Sequence, residues 1–363
     1  MKKILLLLSF QIFVLNSFAQ DEPSGKISGL MYADYFYNIQ QDTGIAQVPN
    51  KVLNGMQDYN GFQFRRIYFT YDYNINEKFS TRFRLEADQE ANTSNNKIGV
   101  FVKDAFLNWQ EIFSGSNLIV GIQPTPAFDV SESVWGYRSI EKTIMDLRGI
   151  VFSRDFALSL KGKIDKSGMF NYWLMFGNGS GNKPEVDKYK RYYALFYVKP
   201  AKNYHLSLYG DLNQRPNVSY SAASSSYSFA NNYITAAFFA GYRNENKISL
   251  GAEAVFVKRQ NELSETISNS LKVDDIDALG ISLFGSFPFS SEFTGLLRWD
   301  YFDPNIKSDY KGDLRNYFIG GLEYSPDKKV SIIPNILLET YEKLDSGEID
   351  PSVTARITFF YSF

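Results

Sequence analysis

The sequence predicts an all-β fold, a membrane-spanning antiparallel β-barrel of about sixteen strands. Three observations predict it. The stretch from Arg66 to Asp88 alternates apolar and charged residues on both sides of one break; the breaks along the whole chain alternate between long and short; and the chain ends on an alternating aromatic strand, Phe359-Phe360-Tyr361-Ser362-Phe363. Alternate side chains of a strand point to opposite faces. A barrel in lipid turns its apolar face outward and its polar face to a water-filled lumen.

The hairpin sets the template. Ile67, Phe69, Tyr71 and Tyr73, then Phe79, Thr81, Phe83, Leu85 and Ala87, form one apolar face. Arg66, Tyr68, Thr70 and Asp72, then Ser80, Arg82, Arg84, Glu86 and Asp88, form the other. Strand one, 26–38, precedes it after a long break at 39–61. Strand four, 100–112, puts Ala105, Leu107 and Trp109 out and Asp104, Asn108 and Gln110 in. A tight turn at 113–116 leads to strand five, with Leu118, Val120 and Ile122 outside. The longest break, 124–150, follows.

Strands six and seven meet at 165–168, with Phe156, Leu158 and Leu160, then Phe170, Tyr172 and Leu174, facing out. Strand eight, 189–199, is aromatic on both faces, and strand nine shows Leu206, Leu208 and Leu212 outside. After a serine-rich break at 215–232, strands ten and eleven cover 233–243 and 248–258. A polar break at 259–277 is expected before strands twelve and thirteen, which meet at 288–291. Strands fourteen and fifteen, 314–324 and 330–341, precede the last, 353–363. Eight longer breaks and seven short turns put both termini on the short-turn side, the periplasm in bacterial outer-membrane barrels. A soluble sandwich buries one face per sheet and protects its edges with charge. Here the outward positions are apolar on nearly every strand.

Met1-Lys2-Lys3, an apolar run to Leu15 and Ser17-Phe18-Ala19 read as a signal peptide of residues 1–19, cleaved before Gln20, leaving 20–363 as one barrel domain. There is no cysteine, which excludes disulfides, thiolate metal sites, a cysteine nucleophile and a lipid-modified cysteine anchor. Without Lys2 and Lys3 the chain carries 36 basic against 40 acidic residues, which gives nucleic acid no electrostatic support. Tyr, Phe and Trp make 17% of the chain, as expected where rings sit at membrane-water interfaces.

Phe62-Gln63-Phe64-Arg65-Arg66-Ile67-Tyr68, Arg82-Phe83-Arg84-Leu85-Glu86, Val102-Lys103-Asp104-Ala105-Phe106, Val120-Gly121-Ile122-Gln123-Pro124-Thr125-Pro126 and Ile333-Pro334-Asn335 together resemble the phosphate-selective porin O and P superfamily, in the form found in Bacteroidota. The resemblance spans the mature chain. It implies a sixteen-stranded homotrimeric barrel of the bacterial outer membrane with its long third loop folded into the pore. Outer-membrane lipid and lipopolysaccharide, small hydrophilic solutes and, through the strand ending at Phe363, the barrel-assembly machinery are the expected partners, and no cofactor is expected. Carboxylates such as Asp104, Asp155, Asp211, Glu253 and Glu339 among the inward residues set this chain apart from a purely basic anion path.

Selectivity in such a channel is set by charges at its narrowest point. The predicted constriction combines Arg66, Arg82, Arg84, Glu86 and Asp88 on one wall with Arg154, Lys161 and Lys163 on strand six. Asp129, Glu132, Glu141 and Asp146 of the third loop oppose them, with a transverse field between basic wall and acidic loop as the expectation, or simple neutralisation of the pairs as the alternative. A helix is expected over 139–149, capped by Ser139, with Ile140, Ile144 and Leu147 on one face and Gly149 at its end. Passive diffusion is the leading function; a specific anion or oligosaccharide channel is the alternative. Enzymatic readings lack a site. His205 is the sole histidine, flanking arginines are expected to make Glu86 and Asp88 poor general acids, and the run from Gly177 to Gly181 precedes Lys183-Pro184 instead of a helix. Asp274, Asp275 and Asp277 are a weak candidate for surface calcium.

Overall fold

The computed structural model describes residues 24–44, 51–53, 55–92, 94–95, 97–222, 225–245, 248–267, 270–307, 313–343 and 347–363. The expected signal peptide lies outside the described residues. Sixteen strands close into one antiparallel barrel. They are β1 (Ser24–Gln40), β2 (Asn60–Asn74), β3 (Phe79–Asn92), β4 (Ile98–Phe113), β5 (Ser116–Pro124), β6 (Arg154–Lys163), β7 (Phe170–Gly177), β8 (Arg191–Val198) and β9 (Tyr204–Asn213), then β12 (Tyr233–Arg243), β13 (Ser249–Ile267), β14 (Ser270–Pro288), β15 (Phe293–Asp303), β16 (Arg315–Asp327), β17 (Val330–Tyr341) and β18 (Ser352–Ser362). A separate hairpin, β10 (Val218–Ala222) and β11 (Ser225–Phe229), stands in the serine-rich connection.

Closure follows from what lipid forbids. An open sheet edge there leaves peptide groups without partners. β18 accordingly pairs with β1 from Leu30↔Ser362 upward, and Gly29 and Phe363 exchange two backbone hydrogen bonds of 3.0 and 2.9 Å. The apolar face points out as the alternation predicts: Phe156, Leu174 and Leu208 are about half exposed on the outer surface, while Asp155, Met175 and Tyr209 are buried inside.

One expectation about a connection is corrected. The polar stretch 259–277 is mostly strand: β13 and β14 are 19 residues each, about twice the ~10 that cross a bilayer. Beyond the apolar band this hairpin no longer meets lipid, so the alternation that marks the spanning part fades at Arg259-Gln260-Asn261-Glu262. The hairpin β10–β11 leans on that projection, with the Tyr220 hydroxyl donating to the Asn261 carbonyl at 2.6 Å.

The apolar core lies inside the lumen. The third loop (125–153) turns into the barrel through a 3-10 turn, Pro126–Phe128, α1 (Asp129–Trp135) and α2 (Ile144–Leu147). Val134, Trp135, Ile140 and Ile144 are fully buried, packed with inward residues such as Phe239, Val255, Phe284 and Ile333 of β12–β17. The first loop contributes Leu53 to the same cluster. The expected helix over 139–149 is thus corrected to four residues, with α1 before it. Ser139 does not cap. Its carbonyl and those of Ile140 and Lys142, which a helix would need for its own ladder, accept hydrogen bonds from wall arginines instead.

Candidate functional site

The lumen wall of β1–β4 is built around three carboxylates, each facing two cations. Asp104 ion-pairs Arg84 at 3.2 Å and also Arg154. Glu86 pairs Lys103 at 2.8 Å and also Arg66. Asp34 pairs Arg65 at 2.5 Å and Arg356 at 3.8 Å. Tyrosines separate the rungs. Arg84 and Arg66 lie over Tyr68, and Arg66 and Arg65 over Tyr32, at 5.0 to 5.9 Å from the ring centres.

The order of charges in depth decides what a solute meets. The side chains of Asp34, Glu86 and Asp104 are 0% exposed, whereas those of Arg65, Arg66, Arg84 and Arg154 are 11 to 18% exposed. In every rung the anion is fully hidden and at least one arginine is more exposed than it, while Lys103 and Arg356, 6 and 7% exposed, are buried with their carboxylates. Arg82 differs: it holds Asp72 through two hydrogen bonds of 2.7 and 3.0 Å, and both partners are about one-third exposed, so this pair presents both signs.

Arg65 and Lys103 are absent from the sequence-based site, and their inward position has one cause. β2 skips one residue between Tyr32↔Arg66 and Ala33↔Phe64, and β4 skips one between Arg84↔Asp104 and Leu85↔Val102. Each bulge places two consecutive residues inward, Arg65 with Arg66 and Lys103 with Asp104, and reverses the phase beyond it. Hence Ile67 and Phe69 face out at odd positions, while Phe62 above the bulge is 84% exposed at an even one. The signal was present in the sequence: two adjacent charges in an alternating strand leave one facing lipid unless the strand bulges.

The other predicted residues disperse. Asp88 lines a cavity at the long-loop end together with Arg66. The basic residues of β6 do not form a second patch, because Arg154 and Lys163 stand at opposite ends of the strand. Arg154 joins the first wall. Lys161 lies 3.7 Å from the centre of the Trp173 ring and 3.5 Å from Asp129, and Lys163 is exposed at the short-turn end.

Nor do the loop carboxylates present an acidic face to the arginine wall. Glu132 and Asp146 are both held by the loop's own Arg138, the latter at 2.7 Å. Glu141 is buried, accepts the Tyr317 hydroxyl at 3.1 Å and lies 3.8 Å from Arg356. Among the described residues none of the four loop carboxylates forms an ion pair with Arg66, Arg82 or Arg84. Burial alone pushes the Asp146 carboxyl up, but Arg138 and Lys142 outweigh it and leave it below its ordinary value. Glu141 is lowered in the same way, with Arg356 and Arg65 overcoming burial.

Guanidinium groups fasten the loop by its backbone. Arg65 donates to the carbonyls of Ser139 and, at 2.8 Å, Ile140; Arg356 donates to Ile140 at 3.1 Å; Arg298 donates to Lys142 at 2.5 Å. Arg243 reaches the carbonyls of Ser133 and Val134 at 3.0 and 2.9 Å. It passes over Gly136, which caps α1 at φ 73° and where a Cβ would stand 2.0 Å from the guanidinium. Arg243, Arg298 and Arg356 stand outside the predicted constriction.

No protein-family model matches the chain, and no curated protein matches it. Solved structures do. The outer-membrane channel DcaP of Acinetobacter baumannii aligns with a TM-score of 0.69 at 12% identity, over 94% of this chain and 97% of that one. The anion-selective porin from Comamonas acidovorans gives 0.64 at 12% identity, over 94% and 100%. Salmonella typhi OmpF, in complex with daunomycin, gives 0.58 at 13% identity, over 93% and 97%. At these identities the likeness establishes the fold, and the fold is the sixteen-stranded barrel of outer-membrane channels.

Proposed function

We propose that the chain is a passive outer-membrane channel for small hydrophilic solutes, with its path narrowed between the cation ladder and the third loop and biased toward anions. The observation that carries this reading is the depth order of the rungs, buried carboxylates behind lumen-facing arginines. Charges in a wall of low dielectric act more strongly than in bulk water. With successive inward positions ~7 Å apart along a strand, an anion passes from one guanidinium to the next without leaving the field. The anion-selective porin among the structural neighbours supports the same direction, and the motifs quoted above support placement in the porin O and P superfamily. The remaining expectations extend this proposal: export by cleavage after Ala19, a homotrimer in lipid and lipopolysaccharide, and assembly through the strand ending at Phe363.

Single-channel conductance of the refolded protein in a planar bilayer, with reversal potential under a KCl gradient, tests it. Steady conductance steps with a reversal potential on the chloride side are expected. Cation preference would overturn the role given to the ladder, and no conductance would overturn the channel itself. Saturable block by one solute would shift the reading to a substrate-specific channel.

A further inference from the structure

Glu339 stands near the long-loop end of β17, is fully buried, and serves two loops at once. Its Oε2 accepts the backbone N–H groups of Val52 at 2.7 Å and Leu53 at 3.1 Å, both in the first loop. Its Oε1 accepts Arg148 at 3.1 Å, and Arg148 is the residue that closes α2 of the third loop. The two loops also share packing, since Leu53 lies in the apolar cluster of Ile140 and Ile144, with Leu147 against it. Between them opens a cavity of about 720 Å³ whose lining includes Lys51, Leu53 and Gly55 of the first loop and Arg138, Lys142 and Arg148 of the third. The mouth of the path therefore has walls from two loops that hang on one carboxylate.

We propose that the first and third loops move as one coupled body through Glu339, so that this carboxylate positions both walls of the mouth. The reason is electrostatic. A buried carboxylate is stable only while its donors stay, so withdrawing Arg148 with the third loop removes a direct ion-pair partner and leaves the first loop's N–H groups on an anion held by the Tyr341 hydroxyl, at 3.3 Å, and the charge of Arg315. Withdrawing the first loop removes two of the donors that hold the anion where Arg148 meets it. By linkage the effect is reciprocal.

The inference does not depend on what permeates, and its test does not use conductance. The chain has no cysteine, so Leu53→Cys and Leu147→Cys, made singly, each give one reporter thiol for a membrane-impermeant maleimide on the full-length protein in liposomes. Arg148→Met, which touches the third loop's end of the linkage and keeps an unbranched side chain over Phe302, is expected to speed labelling at position 53 by roughly 5- to 150-fold, the range of ordinary coupling between sites. Glu339→Gln is expected to speed both reporters. In the reverse direction, Leu53→Ala is expected to speed labelling at position 147. The proposal is overturned if Arg148→Met changes position 147 and leaves position 53 unchanged, or if Glu339→Gln changes neither. Should one variant fail to fold, as judged by loss of the barrel's resistance to SDS, the reverse experiment with Leu53→Ala still decides.

Discussion

Along β1–β4 the inward positions carry ion pairs and tyrosines whose cations reach the lumen, whereas along β12–β17 the same kind of position carries Phe239, Val255, Phe284, Ile319 and Ile333, covered by the third loop. One side of the barrel keeps partly exposed arginines over hidden carboxylates, and the other is packed as a protein interior. The difference teaches that a lumen-facing residue need not be polar when a loop returns to bury it.

The largest change to this division is expected from Trp135→Ala. Trp135 is fully buried, lies 5.2 Å from the Phe284 ring and donates its indole N–H to the Glu141 carbonyl at 2.9 Å. Losing a buried Trp removes ~3–5 kcal/mol of packing, here from the loop and not from the strands. Faster hydrogen exchange in 125–153 and larger, noisier conductance are expected, with resistance to SDS retained; an unchanged loop would mean that its docking does not rest on the apolar half.

On the charged half, Glu86→Gln breaks a buried pair, a change worth ~3–5 kcal/mol in typical proteins. Where the barrel still assembles, the reversal potential is expected to move further toward chloride, because Arg66 and Lys103 lose their hidden counter-charge. A shift toward potassium would contradict the depth order as the source of selectivity.

Acid separates the halves in another way. The lowered pKa values of Glu141 and Asp146 mean that their stabilising contribution to the docked loop is complete above the ordinary carboxylate pKa of ~4 and is lost as pH falls through their depressed values. Conductance noise is therefore expected to stay flat from pH 7 down to about 4 and to rise only below it. A rise between pH 7 and 5 would show that other groups hold the loop. The smallest expected effect distinguishes two neighbouring arginines: Arg84→Gln lowers anion preference measurably, while Arg82→Gln, which removes one member of a pair exposed on both sides, barely moves the reversal potential. Equal shifts would remove the distinction between hidden and exposed anions.

The barrel was legible because lipid imposes a period of two on every spanning strand, from Lys26 to Phe363. The projection of β13–β14 was not, since beyond the apolar band no lipid imposes a period on Arg259-Gln260-Asn261-Glu262. Arg66, Arg84, Glu86 and Asp104 were legible as inward. Arg65 and Lys103 were hidden by a simple count of odd and even, although their adjacency to Arg66 and Asp104 carried the clue. The partners of Glu132, Asp146 and Glu141 were not legible, because they depend on how a loop folds back across a space that no local pattern describes.

The manner of that fastening bears on how such a channel diversifies. Arg65, Arg243, Arg298 and Arg356 grip the third loop through the carbonyls of Ser133, Val134, Ser139, Ile140 and Lys142, and a carbonyl is the same whatever residue bears it. Substitution at Lys142, whose side chain lines the mouth, therefore retunes what the mouth presents while the loop keeps its mooring. What the mouth presents and how the loop is held thus rest on different atoms of the same residues, side chain for the one and backbone for the other.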